Sequence, residues 1–417
     1  MCLETAGTCT GVFRVKKKFL VMMLMMCLLG TIGYKQKAET FPKVKENEEV
    51  KLMVATDPHY LSPSLYNEGS TFAQLLTAND GKLIEYGNQI LDQFSKKVKE
   101  EKPDAVLLCG DLAFNGEKVS LEYVKQILEK IEDENNIPVL VIPGNHDINY
   151  PYAMSYIDDK ADHVENVSQS DFKKTMSEFG YDNAVSRDDS SFSYMYAISD
   201  NLYVLALDAN TEEHPGELSD KTLAWMEDAL TQADKAGARV ISMSHQNVLK
   251  QSDFMYKGFV MNNYEKVDQI LEKHHVFLNL SGHSHLQHKS SENGLTDICT
   301  ESMSVYPLRY STVTIPASRD SFTYDMKDLG ILKDKAEERF NETVYRMTSD
   351  DLSSLNISDE VRNEMASFAA DCNKAYFSGD TSNIKSLKKE RGWMLWKTYG
   401  TETFWYAYMK SFLEDPS

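Results

Sequence analysis

Residues 138–147 read Pro138-Val139-Leu140-Val141-Ile142-Pro143-Gly144-Asn145-His146-Asp147. A short uninterrupted apolar run of this kind is a buried strand, and Pro143-Gly144 stops it. An amide, an imidazole and a carboxylate follow at once, on the loop that leaves the strand. The same grammar recurs upstream. Ala105-Val106-Leu107-Leu108-Cys109 closes on Gly110-Asp111, and Leu52-Met53-Val54-Ala55 closes on Thr56-Asp57-Pro58. Between these runs, Leu83, Gly87, Ile90 or Leu91, Phe94 and Val98 recur at helical spacing and predict a helix over residues 80–99. Leu121 to Ile131 predicts the next helix. Downstream, strands are expected at 202–207, 238–243 and 276–281, with helices near 219–235 and 263–273. The alternation predicts an α/β fold, a sheet sandwiched by helices. Ligands in such folds gather at the carboxyl ends of the strands.

The strand ends hold five motifs in order: Asp57-Pro58-His59, Gly110-Asp111, Gly144-Asn145-His146-Asp147, Ser244-His245 and Gly282-His283-Ser284-His285. Five of the chain's ten histidines lie in them. Taken singly, Asp57 reads equally well as a cap or turn residue, Asn145 as a turn former and His245 as a satisfied buried histidine. Taken together, mixed Asp, His and Asn ligands suit a borderline divalent metal such as Mn, Fe, Zn or Co. One bridging carboxylate with three further ligands on each side makes a two-metal site, the ions about 3.5–4 Å apart.

In these five motifs the sequence resembles the calcineurin-like metallophosphoesterases, over roughly residues 50–320. The resemblance implies a four-layer α/β/β/α metallophosphoesterase sandwich with a C-terminal α-helical domain. It implies that Asp57, His59, Asp111 and His285 hold one metal, and that Asp111 bridges to a second held by Asn145, His245 and His283. His146 would be the acid facing the phosphate, and Asp147 would orient backbone or imidazole around it. The cofactors implied are two divalent or trivalent metal ions, Mn, Fe or Zn. A water shared by two cations loses its proton near neutrality, so a metal-bridging hydroxide would attack phosphorus without a protein nucleophile.

The resemblance leaves the substrate open. Protein serine/threonine phosphatases of the superfamily carry an Asp-Arg pair in the loop after Asp111, and Glu in place of Asp147. Here Leu112-Ala113-Phe114-Asn115-Gly116-Glu117 has no guanidinium. The Gly-Asp-Leu-x-x-Asn-Gly-Glu form is similar to bacterial class III cyclic nucleotide phosphodiesterases, a branch of which carries a helical carboxyl-terminal domain. A small phosphodiester, a cyclic nucleotide or similar, is therefore expected. The alternatives are a broad-specificity phosphomonoesterase and a non-catalytic binding platform on the same fold. Asn115 and Arg309 are candidate substrate contacts, Arg309 reading also as a surface salt bridge. Tyr60, Asn149, Tyr150 and Asn247 follow motif residues and are further candidates for nucleotide recognition. His274, His275 and His288 read as helix end and surface, not as ligands.

Across 417 residues, 42% hydrophobic and 26% charged side chains exclude global disorder, a collagen and a disulfide mini-scaffold. Lys plus Arg number 44 against 64 for Asp plus Glu, a net charge of −20. A body so acidic repels a nucleic-acid polymer, while metal ions can still invert the field for a small anionic phosphoester. Arg14 and Lys16-Lys17-Lys18 precede an uncharged apolar run from Phe19 to Gly33. That reads as an export signal, and the run falls short of the ~20 residues of a spanning helix, which makes a membrane anchor the second reading. Leu24 to Cys27 loosely resembles a lipobox, with bulky Met26 where a small residue is wanted. The expected organisation is 1–33 signal peptide or membrane anchor, 34–49 linker, 50–328 metallophosphoesterase domain and 329–417 helical domain. The expected location is extracytoplasmic, secreted or attached to the membrane through the N-terminal segment. Cys109, Cys299 and Cys372, outside the leader, are far apart and form no disulfide framework. Helices are expected at 331–347, 358–377 and 383–414. Trp393, Trp396 and Trp405, three of the four tryptophans, read there as core, with a cap over the site or a subunit contact as the other readings.

Overall fold

The computed structural model describes residues 41–414. Its strands are β1 (Val50–Ala55), β2 (Ala105–Leu108), β3 (Val139–Val141), β4 (Met154–Ile157), β5 (Lys160–His163), β6 (Ser186–Arg187), β7 (Tyr194–Ser199), β8 (Leu202–Leu207), β9 (Arg239–Ser244), β10 (Leu278–Ser281), β11 (His288–Glu292), β12 (Leu295–Cys299), β13 (Arg309–Ile315) and β14 (Thr323–Asp328). They form a five-stranded sheet of order β14-β13-β1-β2-β3, a seven-stranded sheet of order β11-β12-β10-β9-β8-β7-β6, and the hairpin β4-β5. In the first sheet β1, β2 and β3 run parallel; in the second, β8, β9, β10 and β12 do.

The sheets pack face to face. One hydrophobic cluster joins Leu52 and Val54 of β1, Leu107 of β2 and Leu140 of β3 to Val204 of β8, Ile241 of β9 and Leu280 of β10. Helices Gly87–Glu101 and Lys118–Asn135 add Ile90, Phe94, Leu121 and Leu128 to it from outside. On the other side, helices Asp220–Ala236 and Tyr264–Lys273 bury Met226, Leu230, Val267 and Leu271 against Leu205 and Leu207 of β8. Each parallel strand is thus covered on both faces, which is why it reads as an apolar run. The result is the four-layer α/β/β/α sandwich. Helices Lys333–Leu352, Asp359–Phe377, Thr381–Leu387, Arg391–Tyr399 and Phe404–Leu413 follow it and bury Met365, Trp393, Trp396 and Trp405 in a cluster of their own, which Leu286 and Val305 of the sandwich join.

Several expectations are corrected. The helix expected from residue 80 begins at Gly87, because 79–83 is a loop followed by a single 3-10 turn, Ile84–Tyr86. The stretch 383–414 is broken at Lys388–Glu390 and Gly400–Thr403. Gly400 sits where a Cβ would lie 2.4 Å from the Trp396 ring, and the Thr403 hydroxyl caps the next helix by accepting from Tyr406 N. Of the expected linker, residues 41–49 are described, and there Val44 N donates to Ile198 O at 3.0 Å and Lys43 pairs with Asp200 at 2.6 Å. The export signal or anchor expected at 1–33 lies outside the described residues. Among the described residues, no helix is long and apolar enough to cross a membrane.

Candidate metal centre

β1, β2 and β3 end at one edge of the first sheet, β9 and β10 at the facing edge of the second, and their five following loops converge. One oxygen or nitrogen from each of Asp57, His59 and His285 lies within 4.8 Å of the others, and so do those of Asp111, His245 and His283. The Nε2 atoms of His59 and His285 are 3.0 Å apart. Asp57 Oδ1 is buried without a hydrogen-bond partner, 3.3 Å from His285 Nε2 and 3.6 Å from His59 Nε2. Asp111 Oδ2 stands between the groups, 3.6 Å from His59 Nε2 and 3.4 Å from His245 Nε2. Asn145 Oδ1 completes the second group at 3.0 Å from His245 Nε2. Seven donors aimed at two points, in a buried place with an orphaned carboxylate oxygen, fit two metal ions.

The fold fixes which nitrogen each imidazole presents. His245 Nδ1 lies 2.7 Å from the Cys109 carbonyl, which can only accept, so Nδ1 carries the proton and Nε2 the lone pair. His283 is reversed: Nε2 donates to the Gly258 carbonyl at 2.7 Å, leaving Nδ1 as the ligand atom. The backbone is held in an uncommon state for the same end. Asp57, His59, Asp111, His283 and His285 have φ of 52°, 43°, 52°, 69° and 55°. Left-handed non-glycine residues are sparse, and a cluster of them marks a functional site. Two glycines let the loops meet: a Cβ on Gly144 would lie 2.1 Å from Asp111 Oδ1, and one on Gly282 2.0 Å from Thr56 Oγ1.

His146 faces this centre, its ring 5.0 Å from that of His59 and stacked at 4.1 Å on Tyr150. Its Nδ1 donates toward the Phe114 carbonyl (3.0 Å) and Asn115 Oδ1 (2.9 Å), which leaves Nε2 for a ligand. Burial lowers its basicity. Its backbone N–H donates to Asp111 Oδ1 at 2.8 Å. Asp147 accepts from Leu112 N, Ala113 N and Gly144 N at 3.0, 2.8 and 2.9 Å, tying the loops after β2 and β3 together. Burial, then the Asp111 charge, pushes its carboxyl up to about 7 against those three donors.

The remaining candidates divide. Asn115 serves His146, and Asn149 lines a cleft of about 450 Å³ that opens beside Asn145 and His283. Asn247 is a brace, its amide donating to Ser281 Oγ at 2.7 Å. Tyr60 is buried, stacks on Tyr123 and donates its hydroxyl to Asn88 Oδ1 at 2.7 Å. Arg309, read both as a substrate contact and as a salt bridge, pairs through its guanidinium with Asp328 at 2.6 Å and with buried Glu301 at 3.4 Å, and donates to the Ser378 carbonyl. His274 is held by Asp234 and Glu227, and His288 by Gln251. Cys109, Cys299 and Cys372 are buried free thiols. Unannounced by any motif are Ser302 and Ser304, whose hydroxyls donate to the Asp57 carbonyl at 2.7 and 3.0 Å, and buried Lys82. Short polar residues in loops give no spacing by which to find them.

Residues 50–287 match the model of the calcineurin-like phosphoesterase family, and residues 327–417 match that of the C-terminal domain of cyclic nucleotide phosphodiesterase. Among solved structures, the chain is similar to a dimetal phosphatase from Danio rerio at 16% identity and a TM-score of 0.48, over 67% of this chain and 96% of that one. It is similar to GAP50, the anchor in the inner membrane complex of Plasmodium, at 12% identity and a TM-score of 0.40, over 68% and 86%. It is similar to the sulfate thiohydrolase SoxB of Thermus thermophilus at 11% identity and a TM-score of 0.38, over 75% and 62%.

Proposed function

The chain belongs to the calcineurin-like phosphoesterase family, and on that premise we propose that it is a metal-dependent phosphodiesterase acting on a cyclic nucleotide or similarly small diester. The observation that carries the reading is the pair of ligand groups sharing Asp111, with His146 Nε2 beside them. We assign Asp57, His59, Asp111 and His285 to one ion and Asp111, Asn145, His245 and His283 to the other. Mn, Fe or Zn is the metal such donors favour. Two such ions supply positive charge that polarises the phosphoryl group and acidifies water. The protein's own part is positioning and proton transfer. His146, oriented by Phe114 and Asn115, presents Nε2 to the leaving oxygen, and Asp147 holds the two loops at a fixed distance. The diester preference is supported by the C-terminal match and by a loop after Asp111 that lacks a guanidinium. Residues 50–328 would be the catalytic part and 329–417 its helical partner. An extracytoplasmic location, secreted or attached, rests on the basic and apolar stretch Lys16–Gly33.

The test is hydrolysis of bis(p-nitrophenyl) phosphate against p-nitrophenyl phosphate, metal-free and with Mn²⁺. Metal-dependent preference for the diester is expected, and His146→Ala should keep its metal while losing at least ~10²-fold in kcat. Preference for the monoester would make the protein a phosphomonoesterase. No turnover with any metal would make it a binding platform.

A further inference from the structure

Lys82 lies in the loop between helices Ser70–Ala78 and Gly87–Glu101, and only 5% of it is exposed. A lysine is seldom buried unless paired. Among the described residues its ammonium donates to Asp80 alone, at 3.3 Å, and that carboxylate's side chain is 79% exposed. An ammonium has three donors, so two stand unused.

The loop is fastened to the metal centre on one side. Leu83 N donates to the Ser304 carbonyl at 2.8 Å, and the Ser304 hydroxyl donates to the Asp57 carbonyl at 3.0 Å. The charge of Lys82 is felt there: after burial, it is the next cause holding the His59 imidazole well below its ordinary basicity, and it also lowers that of His146. On the other side, helix Lys333–Leu352 grips the loop. Arg339 pairs with Glu85 at 2.7 Å and donates to the Lys82 carbonyl at 3.5 Å, while a Cβ on Gly81 would lie 3.8 Å from Phe340. Arg309 is taken by Glu301 and Asp328 and residues 112–117 hold no cation, whereas Lys82 is a buried cation on the loop fastened to Ser304.

We propose, resting on the phosphoesterase reading, that Lys82 is a substrate-binding residue that donates to a non-bridging oxygen of the phosphoryl group, and that Arg339 of the C-terminal helices is the positioning residue that holds it there. With metal ions held by the two ligand groups, a buried ammonium on this loop would be repelled by them and would gain from an anion bound at the centre. A lysine meets that anion as a point charge, without the bidentate geometry of an arginine.

The experiment uses the full Mn²⁺-loaded chain as wild type, Lys82→Met, Lys82→Arg and Arg339→Gln. It reads metal content, the rise in Tm caused by inorganic phosphate, and kcat and KM for bis(p-nitrophenyl) phosphate. Lys82→Met should keep its metal, lose the phosphate-induced rise in Tm, and fall about 10- to 100-fold in kcat/KM. Lys82→Arg should restore part of both, and Arg339→Gln should raise KM with kcat little changed. Lys82→Gln repeats the test if Met lowers the Tm of the phosphate-free protein. A Lys82→Met protein equal to wild type in KM, kcat and phosphate response overturns the proposal. If wild type turns over nothing with any metal, the phosphoesterase reading fails, and the phosphate response still reports on Lys82 by itself.

Discussion

Glu117 closes the loop that leaves Asp111, and its side chain is fully buried with one oxygen accepting from Asn115 N at 3.1 Å. Its other oxygen has no partner, and burial pushes its carboxyl from 4.5 up to about 7. Between those pH values the folded chain keeps a proton that the unfolded chain has released. Stability contributed at low pH is therefore lost as pH rises through that window. Glu117→Gln has no proton to lose, so its Tm should gain on wild type from pH 5 to pH 8; parallel Tm curves would show that Glu117 ionises as an exposed residue does. At this scale the motif residues were readable because each follows an apolar run directly. Asn115 meets His146 Nδ1 through its Oδ1, a contact between residues 31 apart in the chain that no local pattern announces. Lys82 had no pattern to announce it, since its meaning lies in what surrounds the ammonium.

The parallel strands were readable as elements for one reason: burial on both faces leaves no place for a polar residue in β2 or β3. β11 and β14 reverse that logic. They are edge strands, His288–Glu292 and Thr323–Asp328, largely turned to water, so their residues carry no apolar run to notice. Helical periodicity found the C-terminal helices but not their breaks, because a helix stop set by Gly400 against Trp396 is a packing event. Trp396 itself is fully buried and donates Nε1–H to the Met365 carbonyl at 2.9 Å. Trp396→Ala should cost about 3–5 kcal/mol in denaturant unfolding of the helical part. A cost below about 1 kcal/mol would mean that the surrounding helices close over the gap.

For the whole molecule, the metal pair and the fold should be linked. Asp57 and Asp111 are buried carboxylates only a few ångströms from each other's imidazole partners, and five of the site residues sit in left-handed backbone. Cations bound there offset both costs, so removing metal with EDTA should lower Tm. Adding Mn²⁺ back should raise it by mass action, by about 1.4 kcal/mol of stability for each tenfold excess over Kd. A Tm indifferent to EDTA would show that the ligand groups are held by the fold alone. What the sequence by itself determined was the α/β alternation and which strand ends carry chemistry, because an apolar run and the loop that stops it are local in the chain. The tertiary structure decided which nitrogen of His245 and of His283 is free, that Asp111 stands between the two groups, that Arg309 pairs with Glu301 and Asp328, and that Lys82 is buried on a loop fastened to Ser304 beside Asp57. Those are contacts across long separations, such as the 226 residues between Asp57 and His283, and only the packing of two sheets and a helical partner can set them.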